Sequence, residues 1–204
     1  MARYLGPKCK KCRQLNFSVC GSERCALSRR ETKPGMHPFA RRKMSDYKTR
    51  LLEKQKLKYS YWVSERQFRG YVKKATRTPG ITGENLLRLL EWRLDSMVHR
   101  LGFVPSILAA RQMIVHGHIM VDGTRVDRPS YSVRIEEVIS VKEASKKMPL
   151  VQEGLVRSLA RPELSYIEVD KKNLRGALIE IPKREEIPLA IEEGLVVEYY
   201  AKYI

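Results

Sequence analysis

Apolar residues between positions 46 and 102 recur at intervals of three and four, which is the period of an amphipathic helix. Ser45 and Ser64 stand directly before the first two of these runs, where a serine hydroxyl can cap the free backbone N–H groups of a helix start. A third run begins at Thr82, keeps its leucines on one face and ends at Gly102, a residue suited to closing a helix. The pattern therefore predicts three helices in succession.

Further along the chain, the pattern changes to short runs with a preference for strands. Ser106 is placed to cap one more helix, which Gly117 stops. Asp122-Gly123 then separates two apolar runs by two residues, which is the sequence of a tight type I′ hairpin. The runs at 131–133 and 138–141 predict additional short strands. Helices followed by a small antiparallel sheet indicate an α+β fold.

The positive charge is concentrated at the start of the chain. The 204 residues include 40 Lys and Arg against 23 Asp and Glu, a formal net charge of +17. Residues 1–58 hold 17 of these cations and only 4 carboxylates, whereas residues 150–204 are slightly acidic. A basic charge distributed in this way favours a nucleic-acid partner over general solubility. No apolar run has the length of a membrane span or of a signal peptide, so we expect a cytoplasmic protein without a membrane partner.

All four cysteines lie within one short segment. Cys9, Cys12, Cys20 and Cys25 form two close pairs separated by seven residues, a spacing that lets four thiolates converge on one metal ion. One structural zinc per chain is the favoured interpretation. An iron–sulfur cluster takes the same ligands, and a disulfide pair is disfavoured in a cytosolic chain. The surrounding Lys and Arg side chains are expected to lower the pKa values of the thiols.

Six short motifs follow one another between residues 93 and 131: Arg93-Leu94-Asp95, Arg100-Leu101-Gly102-Phe103, Ala110-Arg111-Gln112, His116-Gly117-His118-Ile119, Val121-Asp122-Gly123 and Pro129-Ser130-Tyr131. Together they resemble the RNA-binding αL module of the bacterial small-subunit ribosomal protein S4 family. Motifs elsewhere extend the resemblance over nearly the whole chain: Met1-Ala2-Arg3-Tyr4-Leu5-Gly6-Pro7, Ser45-Asp46-Tyr47, Ser64-Glu65-Arg66-Gln67-Phe68-Arg69, Thr82-Gly83-Glu84-Asn85-Leu86-Leu87 and Leu195-Val196-Val197-Glu198. The chain is thereby identified as a candidate member of that family, in its zinc-binding four-cysteine form.

The resemblance implies a structural protein of the small ribosomal subunit, and not an enzyme. It implies primary binding to small-subunit ribosomal RNA and nucleation of 5′-domain assembly. It also implies a position near the channel through which mRNA enters, beside proteins of the S5 and S3 families, with a contribution to translational accuracy. Some members of the family repress translation of their own operon. The alternative is an RNA-modifying enzyme that borrows the αL module, but the sequence shows no catalytic constellation and leaves little length for a catalytic domain.

The family template divides the chain into three parts. The first is a basic four-cysteine segment at 1–44, which is metal-stapled, and the second is a mostly helical rRNA-binding domain at 45–92, completed by 183–204. The third is an inserted αL RNA-binding module at 93–182, with two helices on a small antiparallel sheet and additional strands. On this template the chain ends in a short helix from residue 191 to residue 200. From the residues alone, the run Leu195-Val196-Val197 fits a strand equally well.

Three departures from the family pattern bear on the predicted contacts. The gap between Cys12 and Cys20 is shorter than is usual in the family, which changes the loop but keeps all four ligands. Met36 replaces the usual glutamine before His37, so an RNA contact by that glutamine is not carried over. The start of the second αL helix is apolar at Ile107-Leu108, where the family usually has polar or basic residues. We therefore expect a weaker phosphate contact from this helix, or apolar packing against a neighbour.

Recognition of RNA is expected to depend on the positions of its phosphates, because double-stranded RNA hides its base edges in a deep, narrow groove. Lys and Arg supply affinity by releasing counterions, and Arg can also stack on exposed bases. Tyr47 and Tyr61 are candidates for stacking on bases, although packing in the protein core is the favoured interpretation for both. The predicted RNA-binding residues lie around the cysteines, just before the first long helix, within the first two long helices and in the αL module. They are Arg3, Lys8, Lys10, Lys11, Arg13, His37, Arg41, Arg42, Lys43, Tyr47, Arg50, Lys54, Lys56, Lys58, Arg66, Arg69, Arg111, His116 and His118.

Overall fold

The computed structural model describes residues 4–22, 24–39, 43–160, 162 and 164–203. These residues form two compact units. The first, here called the terminal unit, comprises the described residues of Met1–Leu86 and Leu189–Ile204; the second, the central unit, comprises those of Leu87–Pro188. The terminal unit thus includes both the cysteine segment and the first long helices, and the three-part division made from the family template stays a prediction.

Helices make up the terminal unit as far as it is described. Numbered in chain order, they are α1 (Lys8–Leu15), α2 (Ala26–Arg29), α3 (Asp46–Ser60), α4 (Glu65–Arg77), the first part of α5 (Thr82–Glu91) and α9 (Glu193–Tyr200). The predicted caps are confirmed: the hydroxyl of Ser45 accepts from the backbone N–H of Lys48 at 3.3 Å, and that of Ser64 from Gln67 at 3.4 Å. No described helix combines the length and the apolar character needed to cross a membrane.

Helix α9 brings the end of the chain back to the first long helices. It packs against α3, and its residues Val196 and Tyr200 are buried. The ring of Tyr200 lies 5.9 Å from the ring of Phe68, measured between centroids, and Phe68 itself is completely buried on α4. Residues four apart share one face of a helix, so a helix places Val196 and Tyr200 together against the core. This packing selects the helix over the strand that the run at 195–197 also suited.

The central unit places helices against a five-stranded antiparallel sheet, which confirms the α+β class. Its remaining elements are α6 (Leu94–Arg100), α7 (Ile107–Val115), α8 (Pro149–Ser158), β1 (Ile119–Val121), β2 (Thr124–Arg125), β3 (Val138–Val141), β4 (Ile167–Asp170) and β5 (Arg175–Leu178). The strand order is β2-β1-β3-β5-β4. Leu94, Val98 and Ile114 from the helices meet Ile119 and Ile139 from the strands in one buried cluster.

The predicted hairpin is confirmed in detail. Met120 pairs with Arg125 and Val121 with Thr124 across β1 and β2. Asp122 has a φ of 47° and Gly123 a φ of 75°, the two positive angles that a type I′ turn needs.

Two expectations about the central unit are wrong. The third predicted helix is interrupted between α5 and α6, where Arg93 is extended and its backbone pairs with Ser132 as an isolated bridge. The same bridge is the only ladder contact described in the run at 131–133, so that run is not a regular strand. Arg93 also binds Asp95 through two nitrogen atoms, at 3.0 and 2.7 Å. Long-range pairing of the backbone therefore overrides a continuous helical pattern at this position.

Two helical glycines allow the packing to be tested. A Cβ atom added at Gly154 of α8 would lie 2.6 Å from the backbone of Phe103 and Val104, whereas one added at Gly194 of α9 would meet no described atom within 4 Å. We expect Gly154→Ala to lower the free energy of unfolding by about 1–3 kcal/mol, because backbone cannot yield as a side chain can. Gly194→Ala should raise it by up to about 1 kcal/mol, since alanine is the better helix former. Urea denaturation followed by circular dichroism measures both, and a Gly154→Ala protein as stable as the parent would contradict the packing.

Candidate metal centre and nucleic-acid interface

The cysteine cluster is built by a helix, a turn and a second, short helix. Cys9 and Cys12 lie on α1, and Cys25 stands directly before α2. Asn16 ends α1 in the left-handed conformation, with a φ of 49°, and so turns the chain back on itself. The Sγ atoms of Cys9, Cys20 and Cys25 consequently lie within 4.8 Å of one another.

Cys12 lies beside this group of three. It is completely buried, and its thiol is hydrogen bonded to that of Cys20. Burial raises the pKa of the Cys12 thiol to about 12 and also raises the pKa of Cys20. Burial acts in the same direction on Cys25, but hydrogen bonds, first among them that from the backbone of Leu27, outweigh it and lower the pKa of this thiol. The expectation that nearby cations lower all the thiol pKa values is therefore wrong for Cys12 and Cys20.

The donor set fits a soft metal ion. Tetrahedral zinc with Zn–S distances of about 2.3 Å places its sulfur ligands about 3.8 Å apart, and the sulfur atoms of the three grouped thiols all lie within 4.8 Å of one another. Because a metal binds the thiolate form, an ion would displace the protons that burial otherwise keeps on Cys12 and Cys20. Cys9, Cys20 and Cys25 could thus hold a metal, with Cys12 as the neighbouring fourth sulfur.

Aromatic contacts attach the cysteine segment to α3 and the residues that follow it. The indole N–H of Trp62 donates to the backbone oxygen of Val19, one residue before Cys20, at 3.2 Å. The ammonium of Lys11 lies 5.1 Å from the ring centroid of Tyr59 and 5.7 Å from that of Tyr4. Lys11 therefore makes cation–π contacts inside the protein, although the sequence predicted it as an RNA ligand.

The other predicted residues near the cysteines differ in their surroundings. Arg13 donates from Nε to the backbone oxygen of Thr32 at 2.9 Å and from Nη2 to that of Lys33 at 3.3 Å, so it ties α1 to a later loop. Arg3, Arg41 and Arg42 lie outside the described residues. The exposed residues, for which the described part of the chain contains no ion pair, are Lys8, Lys10, His37 and Lys43.

The predicted cations of α3 are engaged within the terminal unit. Arg50 Nε lies 2.8 Å from Glu198 Oε2 on α9. Lys56 pairs with Glu53 one turn earlier. Tyr47 is half exposed and packs beside a tyrosine of α9. The contacts of Arg50 and Tyr47 hold α9 on α3, and both ion pairs reduce the charge that α3 presents to solvent.

The carboxylate of Glu65 collects three donors from two other helices. The ammonium of Lys54, whose side chain is 4% exposed, lies 2.9 Å from Oε1, and that of Lys58 lies 2.8 Å from Oε2. The hydroxyl of Tyr200 donates to Oε1 at 2.6 Å. Burial acts to raise the pKa of Glu65, but the hydrogen bonds from Lys58, Tyr200 and Lys54 outweigh it and hold the pKa at about 2. Burial and the bond to Glu65 raise the pKa of Tyr200.

On α4, the predicted residues Arg66 and Arg69 are both exposed. Arg69 Nη2 donates to the backbone oxygen of Tyr203 at 2.7 Å. Tyr61, considered above as a base-stacking partner, is 1% exposed and belongs to the core of the terminal unit.

The predicted residues of the central unit lie at the end and on the side of α7. Arg111 Nε lies 2.6 Å from Asp95 Oδ2, and Asp95 is completely buried while also binding Arg93. Arg111 therefore belongs to a buried ion cluster and is only partly exposed. His116 is exposed beyond the end of α7, and Nδ1 of His118 lies 2.9 Å from a serine hydroxyl.

Reasoning from the sequence missed the two carboxylates that organise these cations, Glu65 and Asp95. Glu65 left a signal, because it is the single carboxylate of α4 beside five Lys and Arg. Asp95 stands two residues after Arg93 in a motif that was recognised, but the pattern did not indicate that its side chain is buried.

Comparison with known proteins gives a consistent result. Residues 3–91 match the family model described as Ribosomal protein S4/S9 N-terminal domain, and residues 92–139 match the S4 domain. Among curated relatives, proteins named Small ribosomal subunit protein uS4 are similar over their whole length. That of Thermodesulfovibrio yellowstonii is 42% identical over 208 residues, covering 99% of this chain and 100% of the relative. That of Streptococcus thermophilus is 46% identical over 206 residues, covering both chains completely.

The low pKa of Glu65 makes a prediction about acid stability. The stabilising contribution of the carboxylate is fully present above its ordinary pKa of 4.5 and is lost as the pH falls towards about 2. Glu65→Gln should therefore lower stability at neutral pH and flatten the decline of stability across this acidic range. Urea unfolding at a series of pH values measures both effects. Glu180→Gln, at an exposed glutamate of the central unit, serves as the control and should follow the parent curve; a Glu65→Gln protein with an unchanged decline would refute the assignment.

Proposed function

The chain belongs to the ribosomal protein S4 family, and from this membership we propose that it is a structural, RNA-binding protein of the small ribosomal subunit. The observation that carries the proposal is the full-length similarity to proteins named for that subunit, at 42–46% identity. Proteins of this family act by binding and assembly, and not by catalysis. The small ribosomal subunit of bacteria is cytoplasmic, in agreement with the localisation expected from the sequence.

The charge distribution supports binding to RNA phosphates. Lys8, Lys10 and Lys43 are exposed near the metal segment, and none of them forms an ion pair within the described chain. Exposed cations of this kind release counterions from a nucleic acid on binding and so supply affinity that does not depend on sequence. Lys54, Lys56 and Lys58 are less suited to the same role, since each is already paired with a glutamate. We therefore assign the primary phosphate contacts to the exposed group.

The metal of the cysteine cluster is proposed to be zinc. Cys9, Cys20 and Cys25 would hold it, with Cys12 as the fourth ligand, in a closed site that has a structural role. The bound ion would fix the turn between α1 and α2 and leave the exposed lysines of α1 in place. An iron–sulfur cluster uses the same thiolates and remains the alternative.

The finer role rests on the family resemblance. We propose early binding to the ribosomal RNA of the small subunit, nucleation of its 5′ domain, and a position near the channel through which mRNA enters. Neighbours of the S5 and S3 families, a contribution to translational accuracy and repression of the protein's own operon belong to the same proposal.

The phosphate contacts can be counted from salt dependence. A double variant with Lys8→Gln and Lys10→Gln should weaken binding to a transcript of small-subunit ribosomal RNA. It should also reduce the slope of log K against log[salt] by about 1–2, because each phosphate contact contributes roughly 0.7–0.9. The matched control is Lys171→Gln with Lys172→Gln, two exposed lysines between β4 and β5 in the slightly acidic part of the chain. Removal of residues 1–44 should reduce the slope further; a slope that is unchanged in the α1 variant contradicts the assignment.

Native mass spectrometry tests the metal. We expect one zinc per chain, which is lost in Cys9→Ser and retained in Ser22→Ala, a change between Cys20 and Cys25 that alters no thiol and no charge. Removing the zinc with a chelator should also change the fluorescence of Trp62, because its indole binds the backbone just before Cys20. A metal-free protein with disulfides, or one carrying iron and sulfide, would overturn the zinc assignment.

A further inference from the structure

Helix α4 presents a continuous basic face to solvent. Five of its thirteen residues are Lys or Arg, and their positions fall on one side of a helix with 3.6 residues per turn. All five are exposed, and they span about 16 Å along the axis, at 1.5 Å per residue. This basic face of α4 consists of Arg66, Arg69, Lys73, Lys74 and Arg77.

The charges of this face are not neutralised by the terminal unit. Glu65, the one carboxylate of α4, is bound by Lys54, Lys58 and Tyr200 of other helices and is not paired with the cations of α4. Arg69 donates to a neutral backbone carbonyl, and the described residues provide no ion pair for the other four cations. A helix face that only needs solubility commonly alternates charges, since Glu–Lys pairs one turn apart stabilise a helix and like charges destabilise it. Here Arg69, Lys73 and Arg77 follow one another at intervals of four and repel.

Gly70 lies within the same face. It is exposed in the middle of α4, and a Cβ atom added there would meet no described atom within 4 Å. Glycine is among the poorest helix formers, so its presence weakens α4 without any packing benefit inside the described protein. Because glycine has no side chain, the surface of α4 is open between Arg66, Lys73 and Arg77, and the backbone of another molecule can approach the helix closely there.

We propose that the basic face of α4 is a binding surface for the sugar–phosphate backbone of structured RNA, which passes over Gly70 with the cations on both sides. This inference rests on the proposed function, and it adds Gly70, Lys73, Lys74 and Arg77 to the RNA-contacting residues. A polyanion resolves the two unfavourable features of the helix together, since phosphates neutralise the repelling cations and the absent side chain admits the strand. Repulsion among the cations then lowers the stability of the free protein and is relieved on binding.

Two kinds of variant separate the contribution of the cations to RNA binding from that of the missing side chain at Gly70. Lys73→Gln with Arg77→Gln should reduce the salt slope for small-subunit ribosomal RNA by about 1–2 and weaken binding roughly tenfold near 0.2 M salt. Gly70→Gln keeps every charge, so it should leave the salt slope nearly unchanged while weakening binding roughly tenfold, the equivalent of one or two lost contacts. Its thermal midpoint should not fall, because glutamine is a better helix former than glycine.

Gly194→Gln is the matched control for the glycine variant. Gly194 is also an exposed helical glycine with no described atom within 4 Å of an added Cβ, but it lies on α9, which contains no Lys or Arg. This variant should bind RNA as the parent does. Equal binding by Gly70→Gln and Gly194→Gln would overturn the close approach of RNA to α4.

The remaining outcomes distinguish this inference from the function on which it rests. If the parent protein fails to bind the ribosomal RNA at all, the proposed function fails. If the parent binds and both α4 variants bind equally well, the basic face of α4 is overturned while the function stands. If the variants bind purified RNA normally but are poorly incorporated into small subunits, the occupant of this face is an acidic protein surface, and the RNA assignment is wrong.

Discussion

The ion cluster at Glu65 is the interaction on which the arrangement of the terminal unit depends. One carboxylate at the start of α4 accepts from Lys54 and Lys58 of the preceding helix α3 and from Tyr200 of α9, so it joins two consecutive helices to one that lies far along the chain. The buried ammonium of Lys54 would be costly to keep without this partner, since an unpaired charge inside a protein loses its hydration. The packing of α9 on α3 brings Tyr200 to the same carboxylate, so the end of the chain takes part in this cluster.

This cluster also decides which positive charges remain for a partner. The net charge is +17, and most of the excess Lys and Arg lie in residues 1–58. Within α3, however, most of these cations form ion pairs with glutamates of the same protein. Because the only carboxylate of α4 is bound by cations of α3, the five exposed cations of α4 have no carboxylate on their own helix left to pair with. Two of the four described ion pairs of α3 thus end at a single carboxylate, Glu65, whereas the described residues provide no ion pair for the five cations of α4.

Features set by local chemistry could be predicted from the sequence, whereas features set by distant partners could not. Ser45 and Ser64 cap their helices, and Asp122-Gly123 makes its turn, because each depends on only a few neighbouring residues. The break before Arg93 depends on a backbone bridge to Ser132, almost forty residues later, so no local pattern indicates it. The burial of Lys54 depends on α9 in the same way. The local sequence of a lysine-rich helix does not indicate whether its cations pair with glutamates of the same protein or with RNA.

The candidate metal centre could likewise be predicted from the sequence only in part. The spacing of the cysteines indicated the cluster, but the burial of Cys12, and with it the raised pKa, depends on how α1 packs. A thiol held protonated by burial binds a metal only if the ion supplies enough energy to release the proton, so occupancy and local packing are coupled. Because the loop between Cys12 and Cys20 also carries Val19, which binds Trp62, that coupling reaches the residues after α3. A bound metal would thus do more than close a loop, because it would also affect how firmly α1 and its exposed lysines are held.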